Sequence, residues 1–183
     1  APSFYPTSIE KLCSQLSILS RDYNIIIKLH SFSWEQKRFL YQSIMCIELA
    51  EKFDGIKLLS KDIYDILYYY IIADILISDI SSTIFEFLPL NKPIIQAECF
   101  SLRLKHKIFH HRFLRKLDIQ RMQNIDFAYK IQDPADLIGR IQFALDYPDE
   151  MSSLRKIAHE QYLYKKDGKA SLRLVNAIEE KIK

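Results

Sequence analysis

Short β-branched runs alternate with amphipathic helical segments along most of the sequence, and no tight-hairpin signal joins one run directly to the next. The runs are "NIIIKLH" (Asn24 to His30), "IKLLS" (Ile56 to Ser60), Ile75 to Ile77, and a run opened by Pro93 and continuing through Ile95. A run such as Asn24 to His30, apolar at consecutive positions, is the pattern of a strand buried on both faces of a parallel sheet. Between the runs, Thr7 and Glu10 fit a capping box ahead of Ile9, Leu12, Cys13, Leu16 and Leu19. Ser33 with Gln36 caps a second helix running to about Phe53, Asp62 caps a short helix carrying Ile63, Ile66 and Leu67, and Ser81 to Leu90 reads as helical. Asp133-Pro134 starts a helix with Leu137, Ile138, Ile141 and Leu145 inward, and two more helices follow, from about Asp149 to Tyr164 and from about Lys169 to Ile182. The predicted fold class is therefore α/β: a doubly wound parallel sheet, Rossmann-like, with C-terminal helices.

A chain of 183 residues can bury the core of one such domain, so residues 1–183 are expected to form a single unit. The formal charge of +3 gives no general argument for a nucleic-acid partner. Cys13, Cys46 and Cys99 lie in apolar stretches without metal-ligand spacing, which predicts reduced thiols and no metal. No apolar run reaches the roughly 20 residues that cross a bilayer. Only three glycines occur, so a glycine-rich phosphate loop is absent and no bound cofactor is expected. The opening "APSFYPTS" has no Met and reads as a loop leaving a strand outside the sequence, so a fragment of a larger protein is expected.

Ligands of open parallel sheets bind beyond the carboxyl ends of the strands. The polar residues ending the predicted strands are His30; Ser60 and Lys61; Asp79, Ser81 and Ser82; and Gln96 with Glu98. Polar strand ends are also what loops meeting water require, so the pattern carries more than any one position. Ser81 and Ser82 begin a helix directly after a strand, where free N–H groups and the positive end of the helix dipole suit a phosphate; a single helix cap needs only one serine. Asp79 would repel a phosphate if aimed at it, and either holds the loop through backbone N–H groups or binds a cation or hydroxyl. His30, behind Lys28, is placed to donate a proton or stabilise a leaving phosphate. Between Arg103 and Lys116 a basic segment collects Arg103, Lys105, Lys107, Arg112, Arg115 and Lys116 around apolar residues, fitting either a solvated face or a contact with anionic lipid or a polyanion.

These residues carry a resemblance. "APSF" at Ala1 to Phe4 is similar to an "APTW" loop, "KLH" at Lys28 to His30 to an "RLHP" strand end, and "ADILISDISSTIFEFLPLNKPII" at Ala73 to Ile95 to a strand, "DYSS" turn, helix and "kPii" strand. "DGKASLRLVNAI" at Asp167 to Ile178 is similar to a late "DGkAseR" motif. In this order they resemble the C-terminal, nucleotide-binding half of the CDP-glycerol glycerophosphotransferases, teichoic-acid primases and polymerases of the GT-B architecture. The resemblance implies that Ser81 and Ser82 contact the pyrophosphate of CDP-glycerol, with Asp79 shaping their loop and His30 assisting departure of CMP. It implies that Ser3, Lys28, Ser60, Asp167 and Gly168 complete the nucleotide site. It also implies an anionic polymer acceptor and a cytoplasmic location peripheral to the cell membrane. Two positions depart from the pattern: Tyr5, Pro6 and Thr7 replace an arginine after the "APTW" loop, and Ser31 replaces a proline after "LH". The general base of the family lies on the other half of the GT-B fold, so this chain is expected to bind nucleotide better than it catalyses. A UDP-sugar-using GT-B glycosyltransferase or epimerase-type domain and a non-catalytic nucleotide-binding module are the alternatives.

Overall fold

The computed structural model describes residues 7–99, 125–163, 165 and 167–182. Five strands and eight α-helices alternate through them: α1 (Ile9–Leu19), β1 (Ile25–Ile27), α2 (Phe32–Glu35), α3 (Leu40–Lys52), β2 (Ile56–Leu58), α4 (Leu67–Ile72), β3 (Leu76–Ser78) and α5 (Thr83–Phe87). A 3₁₀ turn (Leu88–Leu90), β4 (Ile94–Ala97), β5 (Tyr129–Ile131), α6 (Asp136–Asp146), α7 (Ser152–Tyr162) and α8 (Ala170–Ile182) follow. Every pairing is parallel: β1 with β2, Ile26 opposite Lys57, and β3, β4 and β5 in that order, Ile77 opposite Ile95 and Gln96 opposite Lys130. The fold is α/β and Rossmann-like, with the hydrogen-bonded ladder in two pieces.

Helix α1 shows that both pieces run the same way. Its first turn is fixed at the carboxyl ends of β3 and β4, where Ser8 Oγ donates to the Ala97 carbonyl at 3.1 Å and accepts the Cys99 N–H at 3.1 Å. Its far end, about 16 Å away at 1.5 Å per residue, lies at the amino end of β2. There a Cβ on Gly55 would fall 2.2 Å from the Ser20 carbonyl oxygen, so only glycine fits. One apolar core joins the two sheets, with Leu12, Leu16 and Leu19 of α1 between Ile27 and Ile56 on one side and Ile95, Ala97 and Ile131 on the other. A second core, around Ile84, Phe87, Ile94, Phe127 and Ala158, covers the opposite face of the larger sheet. That two-sided cover buries all four residues of β4.

Local expectations and structure part at identifiable points. Ser8, not Thr7, directly precedes α1 and makes no side-chain cap bond, while Thr7 Oγ1 accepts the Ile9 N–H at 3.3 Å. Glu10 instead accepts from Tyr41 Oη and from Gln42 Nε2 at 3.5 Å. The helix expected from Ser33 to Phe53 is two, because Gln36 is extended (φ −90°, ψ 117°) and breaks the hydrogen-bond run. Ser33 lies inside α2 and donates to Gln42 Oε1 across that break at 2.8 Å. Asp62 caps no helix: α4 starts at Leu67, whose N–H is accepted by Asp65 Oδ1 at 3.0 Å. β1 is not buried on both faces, since Ile26 is 38% exposed while Ile27 is buried. β5 was not anticipated from the sequence.

Candidate functional site

With the strands parallel, the residues that follow them gather on one edge. Lys28, two residues ahead of His30, reaches across the end of β2, its Nζ donating to the Ser60 carbonyl at 3.0 Å. The ends of β1 and β2 are thereby tied, and the ammonium keeps two further donors. Ser60 Oγ accepts the Asp62 N–H at 3.3 Å, shaping the turn after β2. His30 is exposed, its ring tilted against Phe32 with centroids 4.5 Å apart. Its Nδ1 accepts the Phe32 N–H at 3.2 Å. An acceptor nitrogen carries no proton, so the neutral ring bears its proton on Nε2 and is a ready donor there.

Asp79 follows β3 directly. Its Oδ1 accepts the Ser8 N–H at 2.8 Å and its Oδ2 accepts the Thr7 hydroxyl at 2.7 Å. A carboxylate 71 residues along the chain therefore holds the Ser8 N–H at the start of α1, beside Thr7 Oγ1, which accepts the Ile9 N–H at 3.3 Å. Burial pushes the Asp79 carboxyl above its ordinary value, and the hydrogen bonds from Thr7 and Ser8 pull against that shift. Of the two roles open to Asp79 on chemistry alone, these contacts realise that of holding the loop.

Behind Asp79 the chain turns into α5. Ser78 Oγ and Thr83 Oγ1 are 2.8 Å apart and brace the turn, and Ser81 Oγ accepts the Thr83 N–H at 3.4 Å. Ser82 stands at the cap position of α5, exposed, with no side-chain cap bond. Ile84 and Phe87, both fully buried in the second core, anchor the helix that carries this turn. On β4, Gln96 is fully buried; its Nε2 donates to Glu98 Oε1 at 2.6 Å, and its Oε1 has no partner among the described residues.

The other candidate positions lie apart from this group. Asp167 is exposed and opens α8: it accepts the Lys169 N–H at 3.0 Å and pairs with Arg173 Nη1 at 2.7 Å, which holds its carboxyl below the ordinary value. Gly168 takes a positive φ of 68°, the conformation glycine permits. Among the described residues no hydrogen bond joins Asp167 or Gly168 to the strand ends. Ser3 and the basic positions Arg103, Lys105, Lys107, Arg112, Arg115 and Lys116 fall outside the described residues. Among the described residues no three His, Cys, Asp or Glu side chains converge as a metal site would require, and no helix is long and apolar enough to cross a membrane.

Sequence reasoning missed what Thr7, Ser8 and Gln96 do. Thr7 was assigned to helix capping alone and Ser8 was given no role, although both fix the Asp79 loop; a hydroxyl pair at a helix start gives no sign of a partner so distant. The buried Gln96 was grouped with exposed strand ends, because the strand was read as stopping before it.

Comparison with known proteins adds one match: a family model described as CDP-Glycerol:Poly(glycerophosphate) glycerophosphotransferase covers residues 4–180. No curated protein and no solved structure matches the chain.

Proposed function

The chain belongs to the CDP-glycerol:poly(glycerophosphate) glycerophosphotransferase family, and from that premise we propose that it is the nucleotide-binding half of a two-domain GT-B enzyme. Membership makes it a glycerophosphotransferase-type transferase domain, with a nucleotide-activated donor and a polymer acceptor. The donor is CDP-glycerol or a related CDP-alditol, and the acceptor is an anionic cell-envelope polymer such as a teichoic acid or capsule chain. An acceptor hydroxyl oxygen attacks the distal phosphorus, the bond from that phosphorus to the bridging oxygen breaks, and CMP leaves. The hydroxyl proton passes to a base on the other half.

Ser81, Ser82 and the N–H groups that open α5 seat the pyrophosphate and hold charge as it develops. His30, with its proton on Nε2, stabilises the leaving CMP. Lys28, Ser60, Ser3, Asp167 and Gly168 complete the donor site, and the basic segment from Arg103 to Lys116 meets the anionic acceptor or the anionic cytoplasmic face of the membrane.

The observation that carries this reading is the engagement of Asp79. Its carboxylate is committed to Thr7 and Ser8, and the Ser82 hydroxyl has no partner among the described residues. Thus the negative group in the matched motif is spoken for, and the donors behind it remain for an anion. Calorimetric titration with CDP-glycerol, CMP, UDP-sugars and UMP tests the donor. Binding of the cytidine compounds is expected, and a preference for uridine nucleotides would assign the chain to a sugar-transferring GT-B enzyme instead.

A further inference from the structure

The side chains of β4 alternate between the two cores. Ile95 and Ala97 enter the core under α1, and Ile94 enters the core on the opposite face. Gln96 follows Ile94 onto that opposite face and is fully buried. An aliphatic side chain would satisfy such a place, whereas the Gln96 amide leaves its Oε1 without a partner among the described residues, at a desolvation penalty. The other end of the amide is engaged once: Nε2 donates to Glu98 Oε1 at 2.6 Å. From beyond β5, Gln132 Nε2 donates to Glu98 Oε2 at 3.3 Å, and the Glu98 N–H donates to the Ile131 carbonyl at 2.8 Å. Half-buried Glu98 is thus fixed at its backbone and at both carboxylate oxygens, and both side-chain donors are neutral amides.

We infer that Glu98 binds the hydroxyl-bearing part of the donor, accepting from a vicinal diol, and that Gln96 is the positioning residue that sets the carboxylate's orientation. Placement is the first support. Ser78 and Gln96 are register partners, and Ser78 Oγ meets Thr83 Oγ1 at the start of α5 on the same face of the sheet. Two residues beyond Gln96, Glu98 therefore stands level with the turn from Asp79 to Ser82 and one strand spacing, roughly 5 Å, from the line of β3. Chemistry is the second. A carboxylate accepts up to about four hydrogen bonds, and the two amides leave room for more. It repels phosphate and takes only donors, so beside a pyrophosphate seat it suits the hydroxyls that a ribose or an alditol carries. The orphaned Gln96 Oε1 belongs to the amide that touches Glu98, which puts a further unused acceptor next to the carboxylate. Being fully buried, Gln96 acts through Glu98 and not on the ligand. The inference rests on the donor reading above and deepens it.

Calorimetric titration of the 183-residue chain tests it with CDP-glycerol, with CDP-ethanol, which lacks the alditol diol, and with 2′,3′-dideoxy-CDP, which lacks both diols. In Glu98→Ala and Glu98→Gln, CDP-glycerol is expected to bind about 10-fold or more weakly, and the dideoxy ligand to stay within about 2-fold of the wild type. CDP-ethanol separates the two sources: unchanged binding assigns Glu98 to the alditol, and a loss equal to that of CDP-glycerol assigns it to the ribose. Gln96→Leu is expected to weaken CDP-glycerol by about 5-fold while melting no lower than the wild type, because it removes the orphaned acceptor. A merely structural Gln96 would instead lower the melting temperature and weaken all three ligands alike. The inference is overturned if folded Glu98 variants lose all three ligands equally or lose none. It is also overturned if the discrimination needs magnesium and disappears with EDTA, which would give the carboxylate to a cation. A wild type that binds none of the three removes the donor reading together with this inference, whereas binding without discrimination removes this inference alone.

Discussion

At the scale of single residues the account turns on His30 and Asp79. A donor that meets charge developing on a leaving group contributes more in the transition state than in the bound substrate. His30→Ala is therefore expected to lower turnover by about 100-fold or more while changing nucleotide affinity little, as measured by steady-state kinetics and titration on the enzyme carrying both halves of the fold. Near-normal turnover would reduce His30 to a ring packed on Phe32. Asp79 presents a different balance. Asp79→Ala leaves the buried Ser8 N–H without its acceptor and is expected to cost about 1 to 3 kcal/mol, whereas Asp79→Asn keeps an oxygen there and costs less. Because burial raises the folded carboxyl above its ordinary value of 3.8, the folded chain binds that proton more tightly than the unfolded one. The contribution of Asp79 is then largest in acid and declines as pH rises from about 4 through the raised value. Urea midpoints of the wild type, compared with Asp79→Asn across that range, should show the wild type losing ground as pH rises; a constant difference would contradict the assignment.

At the scale of elements, what the sequence disclosed and what it concealed follow from the range of the interactions. The strand and helix alternation was legible because each buried stripe is written locally, as in Leu137 and Ile141 of α6 or Ile84 and Phe87 of α5. The start of α1 was legible only in part: Thr7 Oγ1 does accept the Ile9 N–H, but the Ser8 N–H is held by Asp79, and no spacing rule reaches that far. Gln36 gave no sign that it would break α2 from α3, and β5 is a three-residue strand whose identity comes from pairing with β4. Of the candidate site, the strand-end residues were legible through the rule for parallel sheets, while the support beneath them was not. Helix α7 illustrates such support: Arg155 is 1% exposed, its Nη2 donates to the Pro148 carbonyl at 2.6 Å and its Nε to Asn91 Oδ1 at 3.3 Å. Arg155→Ala should cost about 3 kcal/mol, since it opens a cavity where the buried side chain packs and removes its hydrogen bonds to Pro148 and Asn91, and chemical denaturation would read it. Helix α8 is held differently. The Asp167 contact with Arg173 and the Lys169 N–H is present above the ordinary carboxyl range and is lost as pH falls through the lowered folded value. An NMR titration should place the Asp167 midpoint below 3.8 in the wild type and nearer to it in Arg173→Ala; equal midpoints would remove the pairing.

At the scale of the whole molecule, two parallel ladders share one core and lay their polar ends along a single edge, and the family match spans both. Burial also bears on chemistry the chain does not use: the Cys46 thiol, on the buried face of α3, is pushed up to about 12, which disfavours the reactive thiolate. What the assembled edge does is the central claim, that the turn between β3 and α5 seats the pyrophosphate of a cytidine donor. The most direct measurement is calorimetric titration of CDP-glycerol into the chain and into its Ser81→Ala/Ser82→Ala double variant, with circular dichroism to confirm that both are folded. Loss of hydrogen bonds to a charged ligand should weaken binding by about 1 to 3 kcal/mol, roughly 5-fold to 150-fold in Kd. Unchanged affinity in a folded double variant, or no binding by the wild type, would contradict the claim.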